Sequence, residues 1–362
     1  MARLSVHLVA WNGAKYIPHL FESLRKQTCK DWELLAIDNN STKDNTADLI
    51  EEELKNFPVP ARLIRNKENN GFAGGHNQAV REMCRRSKDS PSAEGLSLDR
   101  APLPEYIQLL NQDMYLAPDY FEKVVAMMDS HPEAGAGQGL LLRWDFNTNT
   151  HTDIIDTMGL KVLRNRRVVD WRTGENDKGL SFTIGKDSPL TVEVFGVSGA
   201  LPIYRRRAVE DVIFESKMFD EDFFMYKEDV DLAFRMRSAG WKATVSTSAR
   251  AWHDRTAAGP REISDAAALK NRKGRAAYVN YYSYRNHLVV LLKNEHRANF
   301  MRDWPWIVFY ELKKFLYLLC TDWATLKGLS DVWRLRKQTM KKRRFIMTHY
   351  KIRPQDMRKW YV

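Results

Sequence analysis

Residues 32–42 read WELLAIDNNST, an apolar run that gives way to polar residues at Asp38. The length of this run and its turn-forming end predict a buried strand over Trp32–Ile37. Segments with helical spacing lie on both sides of it, at Tyr16–Lys26 and Thr46–Leu54. A buried strand between two helices is typical of α/β proteins.

The same alternation of strands and helices runs through the N-terminal part of the chain. The other predicted elements are strands at Leu4–Trp11, Ala61–Ile64 and Tyr106–Leu110 and helices at Gly74–Cys84 and Pro118–Met128. This order implies a parallel sheet with helices on both faces, and such sheets bind ligands beyond the carboxyl ends of their strands. The polar residues found at those ends are Asn12, Asp38, Asn39 and Asp113. We therefore expect a ligand site there.

The remaining chain is less regular. Ser87–Pro104 is polar and proline-containing and predicts a surface insertion, while Asp145–Leu190 has a hairpin-like pattern. A second ordered block is predicted over Val192–Trp252, followed by a helical tail from Tyr278. The widely spaced Cys29, Cys84 and Cys320 and the missing signal-peptide pattern favour a cytoplasmic location without disulfides or structural zinc.

The tail is strongly basic. Residues 261–362 hold 23 Lys/Arg and 8 Asp/Glu, a net charge of +15, whereas the first 260 residues carry −4. Such a tail suggests contact with an anionic surface, either a membrane or a nucleic acid, although a solvated basic face gives the same count. The apolar segment Trp304–Cys320 carries three charges and is too short for a confident membrane span. Together with the basic run Arg334–Arg344 it suits an interfacial helix, and equally a helix packed on the protein.

Three groups of residues could carry chemistry. Asp113 ends a buried strand and His253 follows a β-rich run. If the two lie close together, they could hold Mg²⁺ or Mn²⁺. The alternatives are that Asp113 caps the following helix and that His253 is a structural or solvated residue. Six carboxylates lie within Asp220–Asp231. Repulsion between them and burial should raise the pKa of at least one, which suits a general base. Alternatively, the acids only favour the dipole at a helix N-terminus. The glycine-rich turn Asn69–Asn77 could approach phosphate, although it matches neither a dinucleotide-binding nor a phosphate-loop pattern.

In their order along the chain these motifs resemble those of the family 2 glycosyltransferases with a GT-A fold, above all the rhamnosyltransferase-like branch. The matching segments are Val9–Asn12, Leu24–Thr28, Trp32–Thr42, Asn70–Asn77, Leu109–Asp113, Ser198–Ala200, Phe219–Leu232, Ala249–His253 and Tyr282–Asn286. The resemblance implies an α/β, Rossmann-like GT-A sandwich over residues 1–260, followed by a helical, basic C-terminal extension over 261–362. The nucleotide-binding half would reach about residue 115 and the acceptor half about 116–260, with a flexible insertion at about 87–104.

The resemblance also implies a role for each matching residue. The donor nucleotide would be bound by Asn12, Asp38, Asn39, Asn70, Gly71, Asn77 and Asn111. The sugar and the acceptor would face Ser198, Gly199, Ala200 and Glu228. Asp113 and His253 would bind Mg²⁺ or Mn²⁺, and Asp229 would be the catalytic base.

The implied reaction is an inverting transfer from a nucleotide-diphosphate sugar, either dTDP-rhamnose or a UDP-sugar. The acceptor would be lipid-linked or a polysaccharide, at the inner face of the cell membrane. The sequence departs from the family pattern in three places. Asn111 replaces an anionic residue of the metal-binding motif, and Gln112 replaces the usual proline, from which we expect no consequence. The Ser87–Pro104 insertion is longer than the family's usual loop. We expect no nucleic-acid partner, and the alternatives are a nucleic-acid-binding protein that uses the basic tail and an inactive protein that keeps the fold.

Overall fold

The computed structural model describes residues 2–85, 103–179, 190–255, 272 and 274–362. Of the predicted insertion at 87–104, all but the last two residues lie outside this description.

The N-terminal part alternates strands and helices, as predicted. Its elements are β1 (Leu4–Ala10), α1 (Ile17–Arg25), β2 (Trp32–Asp38), α2 (Thr46–Leu54), β3 (Ala61–Arg65), α3 (Gly71–Arg85) and β4 (Tyr106–Asn111). The four strands run parallel in the order β3–β2–β1–β4, which confirms the predicted parallel sheet for this part. Helix α3 begins at Gly71, three residues before the predicted Gly74. Gly71 itself has a left-handed conformation (φ 69°) that L side chains rarely adopt.

The sheet continues into a mixed half. Its elements are β5 (Met114–Leu116), α4 (Tyr120–Ser130), β6 (Ala134–Asp145), β7 (Thr150–Thr157), β8 (Leu160–Val162), β9 (Val168–Asp170), β10 (Thr191–Val194), β11 (Ile203–Arg205), α5 (Arg206–Glu210), α6 (Glu228–Ser238) and β12 (Lys242–His253). The order extends as β4–β11–β6–β12–β10, and β11 runs antiparallel to both of its neighbours. The sheet is therefore not parallel throughout, because strands joined without a crossover helix can pair antiparallel.

Apolar residues on the two faces of the sheet pack against different helices. Leu8, Leu34 and Phe121 belong to a buried cluster with α1 and α4, whereas Leu109 and Leu232 belong to a second cluster with α3 and α6. Helices thus cover both faces, as predicted. The carboxyl ends of β1, β2 and β4 lie side by side at one edge, which is where the candidate site lies.

The C-terminal region consists of helices that pack on this sheet domain. They are α7 (Ala277–Asn294), α8 (Arg297–Thr321), α9 (Trp323–Leu326) and α10 (Gly328–Thr348). Val289 and Val290 of α7 share a buried cluster with Phe223 and Phe234. The almost fully buried Arg166 forms ion pairs with Glu295 at 2.6 Å and with Asp303 at 3.1 Å. This region therefore shares a core with the residues before it.

Helix α8 has two unlike sides. On its inner side, Glu311 pairs with His287 at 2.6 Å, and Lys314 lies 4.8 Å from the centre of the Tyr284 ring. On its outer side runs an apolar stripe, and each of its residues is at least 44% exposed: Met301, Trp304, Val308, Leu312 and Leu316. None of the helices in the described part of the chain has the length and apolarity needed to cross a membrane.

Candidate active site

Asp38 ends β2 with one carboxylate oxygen free. The residue is 3% exposed, and its Oδ2 accepts a hydrogen bond from the Ser41 backbone amide at 3.1 Å. Its Oδ1 is buried and has no hydrogen-bond partner among the described residues. A buried acceptor without a partner is costly. Asp38 is therefore ready to accept a hydrogen bond from a ligand at the carboxyl edge of the sheet.

Two asparagines near Asp38 connect the surrounding loops. Asn12 is left-handed (φ 47°), and its side-chain oxygen accepts from the backbone amides of Thr42 and Lys43 at 3.1 Å each. The Asn39 amide donates to the Gly71 carbonyl at 3.0 Å. Its oxygen accepts from the Asn70 backbone amide at 3.1 Å. Both side chains stabilise the loops at the carboxyl edge of the sheet, and their contact with a donor nucleotide stays a prediction.

The glycine-rich turn packs against the acidic segment. A Cβ on Gly71 would lie 2.5 Å from the Phe224 carbonyl oxygen, so no side chain fits there. Asn77 is buried, and its amide donates to the Phe219 carbonyl at 2.8 Å while its oxygen accepts from the Phe219 backbone amide at 2.9 Å. Asn77 therefore holds the segment that leads to Glu228, a contact that the sequence did not suggest.

Gln112 takes part in the site, contrary to expectation. Its side-chain oxygen accepts from the Trp11 backbone amide at 2.8 Å, and its side-chain nitrogen donates to the Trp11 carbonyl at 3.1 Å. A Cβ on Gly13 would lie 2.2 Å from the Gln112 amide carbon. The glutamine thus connects the ends of β1 and β4, which a proline could not do because it has no side-chain amide.

Asp113 and His253 come together, as predicted. The His253 Nε2 atom lies 3.4 Å from the Asp113 Oδ1 atom, and its Nδ1 atom lies 2.9 Å from Oδ2 of the fully buried Asp156. Burial alone would lower the pKa of His253, but Asp113 and Asp156 outweigh it and raise this pKa to about 10. Sequence reasoning missed Asp156, although a carboxylate inside the apolar run IIDTM (residues 154–158) was a signal.

The Asp113–His253 pair suits a divalent cation in part. One carboxylate oxygen and one ring nitrogen are suitable ligands for Mn²⁺, provided that the cation displaces the proton from His253, and Asp156 fixes the orientation of the ring as outer-shell carboxylates do. Within residues 2–85, 103–179, 190–255, 272 and 274–362, no group of three or more His, Cys, Asp or Glu side chains could hold a metal ion. The donor set therefore fits a cation that takes its other ligands from a bound diphosphate.

Most carboxylates of the acidic segment have cationic partners. Asp220 pairs with Lys293 at 2.7 Å and with Lys342 at 2.5 Å. Asp231 pairs with Lys293 and with Arg235, both at 2.9 Å. Asp222 pairs with Lys342 and Glu221 with Lys217. These four side chains connect the segment to its neighbours and are not available for proton transfer.

Glu228 and Asp229 are the exceptions, because neither forms an ion pair within the described residues. Burial, with repulsion from Asp229, raises the pKa of Glu228 to about 8. Burial also raises the pKa of Asp229. Asp229 accepts hydrogen bonds from the backbone amides of Gly199 at 3.0 Å and Val230 at 2.7 Å. Burial is the main cause at both residues, and repulsion between neighbouring acids of the segment adds to it at Glu228.

The small-residue segment Ser198–Ala200 joins the two halves of the site. Gly199 contacts Asp229 through its amide, and the Ala200 carbonyl accepts from the Asn111 backbone amide at 3.0 Å. Asn111 is two residues before Asp113. The candidate base and the candidate metal pair therefore border the same segment.

Parts of this chain are similar to known proteins. The family model for glycosyl transferase family 2 matches residues 5–213, more than half of the chain. An N-acetylglucosaminyl-diphospho-decaprenol L-rhamnosyltransferase from Mycobacterium tuberculosis is 24% identical over 250 residues, which cover 69% of this chain and 75% of that protein. A teichoic acid poly(glycerol phosphate) polymerase from Staphylococcus epidermidis is 30% identical over 83 residues, which cover 23% of this chain and only 11% of the polymerase.

The fold has solved counterparts as well. The crystal structure of GalNAc-T7 with UDP, GalNAc and Mn²⁺ superposes with a TM-score of 0.55 at 14% identity, over 81% of this chain and 48% of that one. This similarity shows the GT-A fold predicted from the motifs. With the family match across residues 5–213, it establishes that this chain is a glycosyltransferase and belongs to glycosyl transferase family 2.

Proposed function

We propose that this protein transfers a sugar from a nucleotide-diphosphate donor to a hydroxyl group, with inversion at the anomeric carbon. The observation that carries the proposal is Asp229, a half-buried carboxylate without a cationic partner in the described residues and with a raised pKa. Asp229 accepts a hydrogen bond from Gly199 of the segment Ser198–Ala200, and Ala200 of the same segment contacts Asn111 at the end of β4. A carboxylate held in this way suits a general base.

In the proposed reaction, Asp229 takes the proton from the acceptor hydroxyl. The acceptor oxygen forms a bond to the anomeric carbon while the bond from that carbon to the diphosphate breaks, and the bonding pair leaves with the phosphate. The proton stays on the Asp229 carboxyl. Glu228, with its pKa raised to about 8, is mostly protonated at neutral pH and would donate a hydrogen bond without repelling the anionic donor.

The donor would lie along the carboxyl edge of β1, β2 and β4. The free Asp38 oxygen would accept the ring N–H of a uracil or thymine base, and Asn12, Asn39, Asn70, Gly71, Asn77 and Asn111 would shape the pocket around it. Asp113 and His253 would hold Mg²⁺ or Mn²⁺ at the diphosphate. A divalent cation there neutralises charge on the leaving diphosphate. GalNAc-T7, solved with UDP and Mn²⁺, supports this proposal.

The mycobacterial relative acts, by its name, on a diphospho-decaprenol acceptor with rhamnose. We propose that this protein has a related activity and transfers rhamnose or another sugar from a dTDP- or UDP-sugar to a lipid-linked or polysaccharide acceptor. Glu228 and the segment Ser198–Ala200 would face the sugar and the acceptor. The acceptor hydroxyl must reach Asp229.

A thermal-shift panel tests the donor. We would measure unfolding with dTDP, UDP, GDP and CDP, each with and without Mn²⁺. A ligand at 100 times its Kd should stabilise the protein by about 2.7 kcal/mol. We expect a metal-dependent shift with dTDP or UDP alone, and the metal-dependent part should disappear in Asp113→Asn. No shift with any nucleotide would contradict the proposal.

Product analysis tests the stereochemistry. With the stabilising donor and an acceptor sugar linked to a short polyprenyl diphosphate, so that the acceptor offers a hydroxyl group, nuclear magnetic resonance of the product gives its anomeric configuration. An anomeric configuration opposite to that of the donor is expected from a single displacement. Retention would exclude Asp229 as the base of that displacement.

We further propose that the protein works at the cytoplasmic face of the membrane, held there by the apolar stripe. Trp304 at the interface and the basic residues of α8 and α10 would favour anionic lipid. Flotation with vesicles containing phosphatidylglycerol tests this. Binding should be lost in Leu312→Glu and weakened by salt, and a protein that stays unbound on anionic vesicles would contradict the proposal.

A further inference from the structure

The turn before α6 has a strained backbone. Phe224, Tyr226 and Lys227 have φ values of 60°, 65° and 73°, and none of them is glycine. Such conformations are sparsely populated for L residues and persist only where the surroundings hold them. The next two residues are Glu228 and Asp229, so the position of the candidate base depends on this turn.

One side chain from the C-terminal region holds the turn. Asn286 of α7 is fully buried, and its amide nitrogen lies 2.9 Å from the Phe223 carbonyl oxygen, 2.8 Å from that of Met225 and 2.7 Å from that of Tyr226. Its two N–H groups are therefore shared among three acceptors. Arg285 donates to the Asn286 side-chain oxygen at 2.9 Å, which fixes the orientation of the amide. An amide can donate to these carbonyls and accept from arginine at the same time, whereas a carboxylate could only accept.

Two further contacts hold the same segment. The Ala73 backbone amide, in the first turn of α3, donates to the Phe224 carbonyl at 3.3 Å. At the far end, Asn294 of α7 donates to Asp231 at 2.8 Å. Helix α7 therefore holds both the turn and the first turn of α6, with Glu228 and Asp229 between them.

We propose that Asn286 is a positioning residue for the reaction: it holds the left-handed turn that places Asp229 against the acceptor. The inference rests on the proposed function, because it concerns the efficiency of Asp229 as a base. Without Asn286, the carbonyls of 223, 225 and 226 lose a shared donor and the turn relaxes. A misplacement of about 1 Å at a reacting group can cost roughly 100-fold in rate.

The test compares Asn286→Ala with Asn299→Ala in the full-length protein. Asn299 of α8 is equally buried and donates to the Pro354 carbonyl at 2.8 Å, and its side chain forms no hydrogen bond with residues 223–227 among the described residues. We expect kcat to fall about 100-fold in Asn286→Ala, with the donor KM within about twofold of the wild type. The kcat of Asn299→Ala should stay near the wild-type value. Equal kcat losses in both variants, or a kcat for Asn286→Ala near the wild-type value, would overturn the proposal.

A second variant covers the case in which Asn286→Ala does not fold. Asn286→Asp keeps the size of the side chain, and its protonated carboxyl can still donate while its ionised form cannot. Its kcat should therefore recover towards low pH relative to the wild type. Parallel pH profiles for Asn286→Asp and the wild type would contradict the proposal.

Hydrogen exchange separates this inference from the proposed function. Amides of residues 223–228 should exchange faster in Asn286→Ala, or in Asn286→Asp at high pH, than in Asn299→Ala, whether or not a sugar is transferred. If exchange is faster in the variant but the wild type has no transferase activity, the proposed function is refuted, whereas the role of Asn286 in holding the turn stands. If exchange is unchanged and the enzyme is active, only the role of Asn286 is refuted.

Discussion

Asp229 and Asp231 lie two residues apart in the first turn of α6, yet their surroundings differ. Asp231 contacts Lys293, Arg235 and Asn294. Burial opposes its ionisation, but the two cations outweigh burial and lower its pKa. Among the described residues, Asp229 accepts hydrogen bonds only from backbone amides, and burial raises its pKa. The same residue type thus stabilises the fold at one position and suits proton transfer at the other.

The largest expected effect is on the rate of Asp229→Asn. Loss of a general base lowers kcat by about 10²–10⁴-fold. The free energy of unfolding should change little, because the variant removes a buried charge and breaks no ion pair of the described residues, but it loses one of the two hydrogen bonds that the carboxylate accepts from backbone amides. Steady-state kinetics and thermal unfolding measure both. A kcat close to that of the wild type would exclude Asp229 as the base, and the functional difference between Asp229 and Asp231 would no longer hold.

Asp231→Asn is the matched change, and its effect should be on stability. Removing one member of a buried ion pair costs about 3–5 kcal/mol, because Lys293 and Arg235 keep their charges. Denaturant unfolding at neutral pH measures the free energy of unfolding. The folded fraction should retain a kcat within a few-fold of the wild type. If the variant has the same free energy of unfolding as the wild type, the ion pairs of Asp231 do not stabilise the folded state.

The pH dependence of stability sharpens the same comparison. The folded-state pKa of Glu228 is raised from 4.5 to about 8, so the folded state binds a proton more tightly than the unfolded state. Its contribution is therefore full below about pH 4.5 and is lost as pH rises through 8. Glu228→Gln should unfold several degrees higher than the wild type at pH 9, with little difference at pH 5. Equal differences at both pH values would contradict the raised pKa.

The smallest effects concern two adjacent lysines of α10. Lys342 is buried between Asp220 and Asp222, whereas Lys341 pairs with Glu215 at the surface. Lys342→Met should lower the free energy of unfolding by about 2 kcal/mol, as expected for charged hydrogen bonds. Lys341→Met should lower it by about 0.5 kcal/mol. Denaturant unfolding in low and high salt measures both, and equal losses would mean that burial of the pair does not matter.

The predictions from sequence succeeded where neighbouring residues decide the structure. Strand β2 was predicted over Trp32–Ile37 and ends at Asp38, because a short apolar run and its turn signals are local. The meeting of Asp113 and His253 was expected only through the family resemblance. Asp156, which orients His253, lies on β7, and no local pattern connects it to either residue.

The tail shows the limits of pattern reading. The segment Trp304–Cys320 allowed an interfacial helix or a packed helix, and helix α8 combines a packed side with an exposed apolar stripe. Which side of the helix is buried depends on His287 and Tyr284 of α7, which lie in another helix. Whether the stripe meets lipid is a matter for the flotation experiment.

By itself, the sequence determined the strand–helix order, the polar residues at the strand ends, the basic tail and the crowding of acids at 220–231. All of these follow from composition and periodicity over a few residues. Only the tertiary structure decided which acids are paired, because their partners lie far away in the sequence. Lys293 is 62 residues from Asp231, and Lys342 is 122 residues from Asp220. An isolated carboxylate has no fixed role. Its role follows from the charges and amides that folding brings within hydrogen-bond distance.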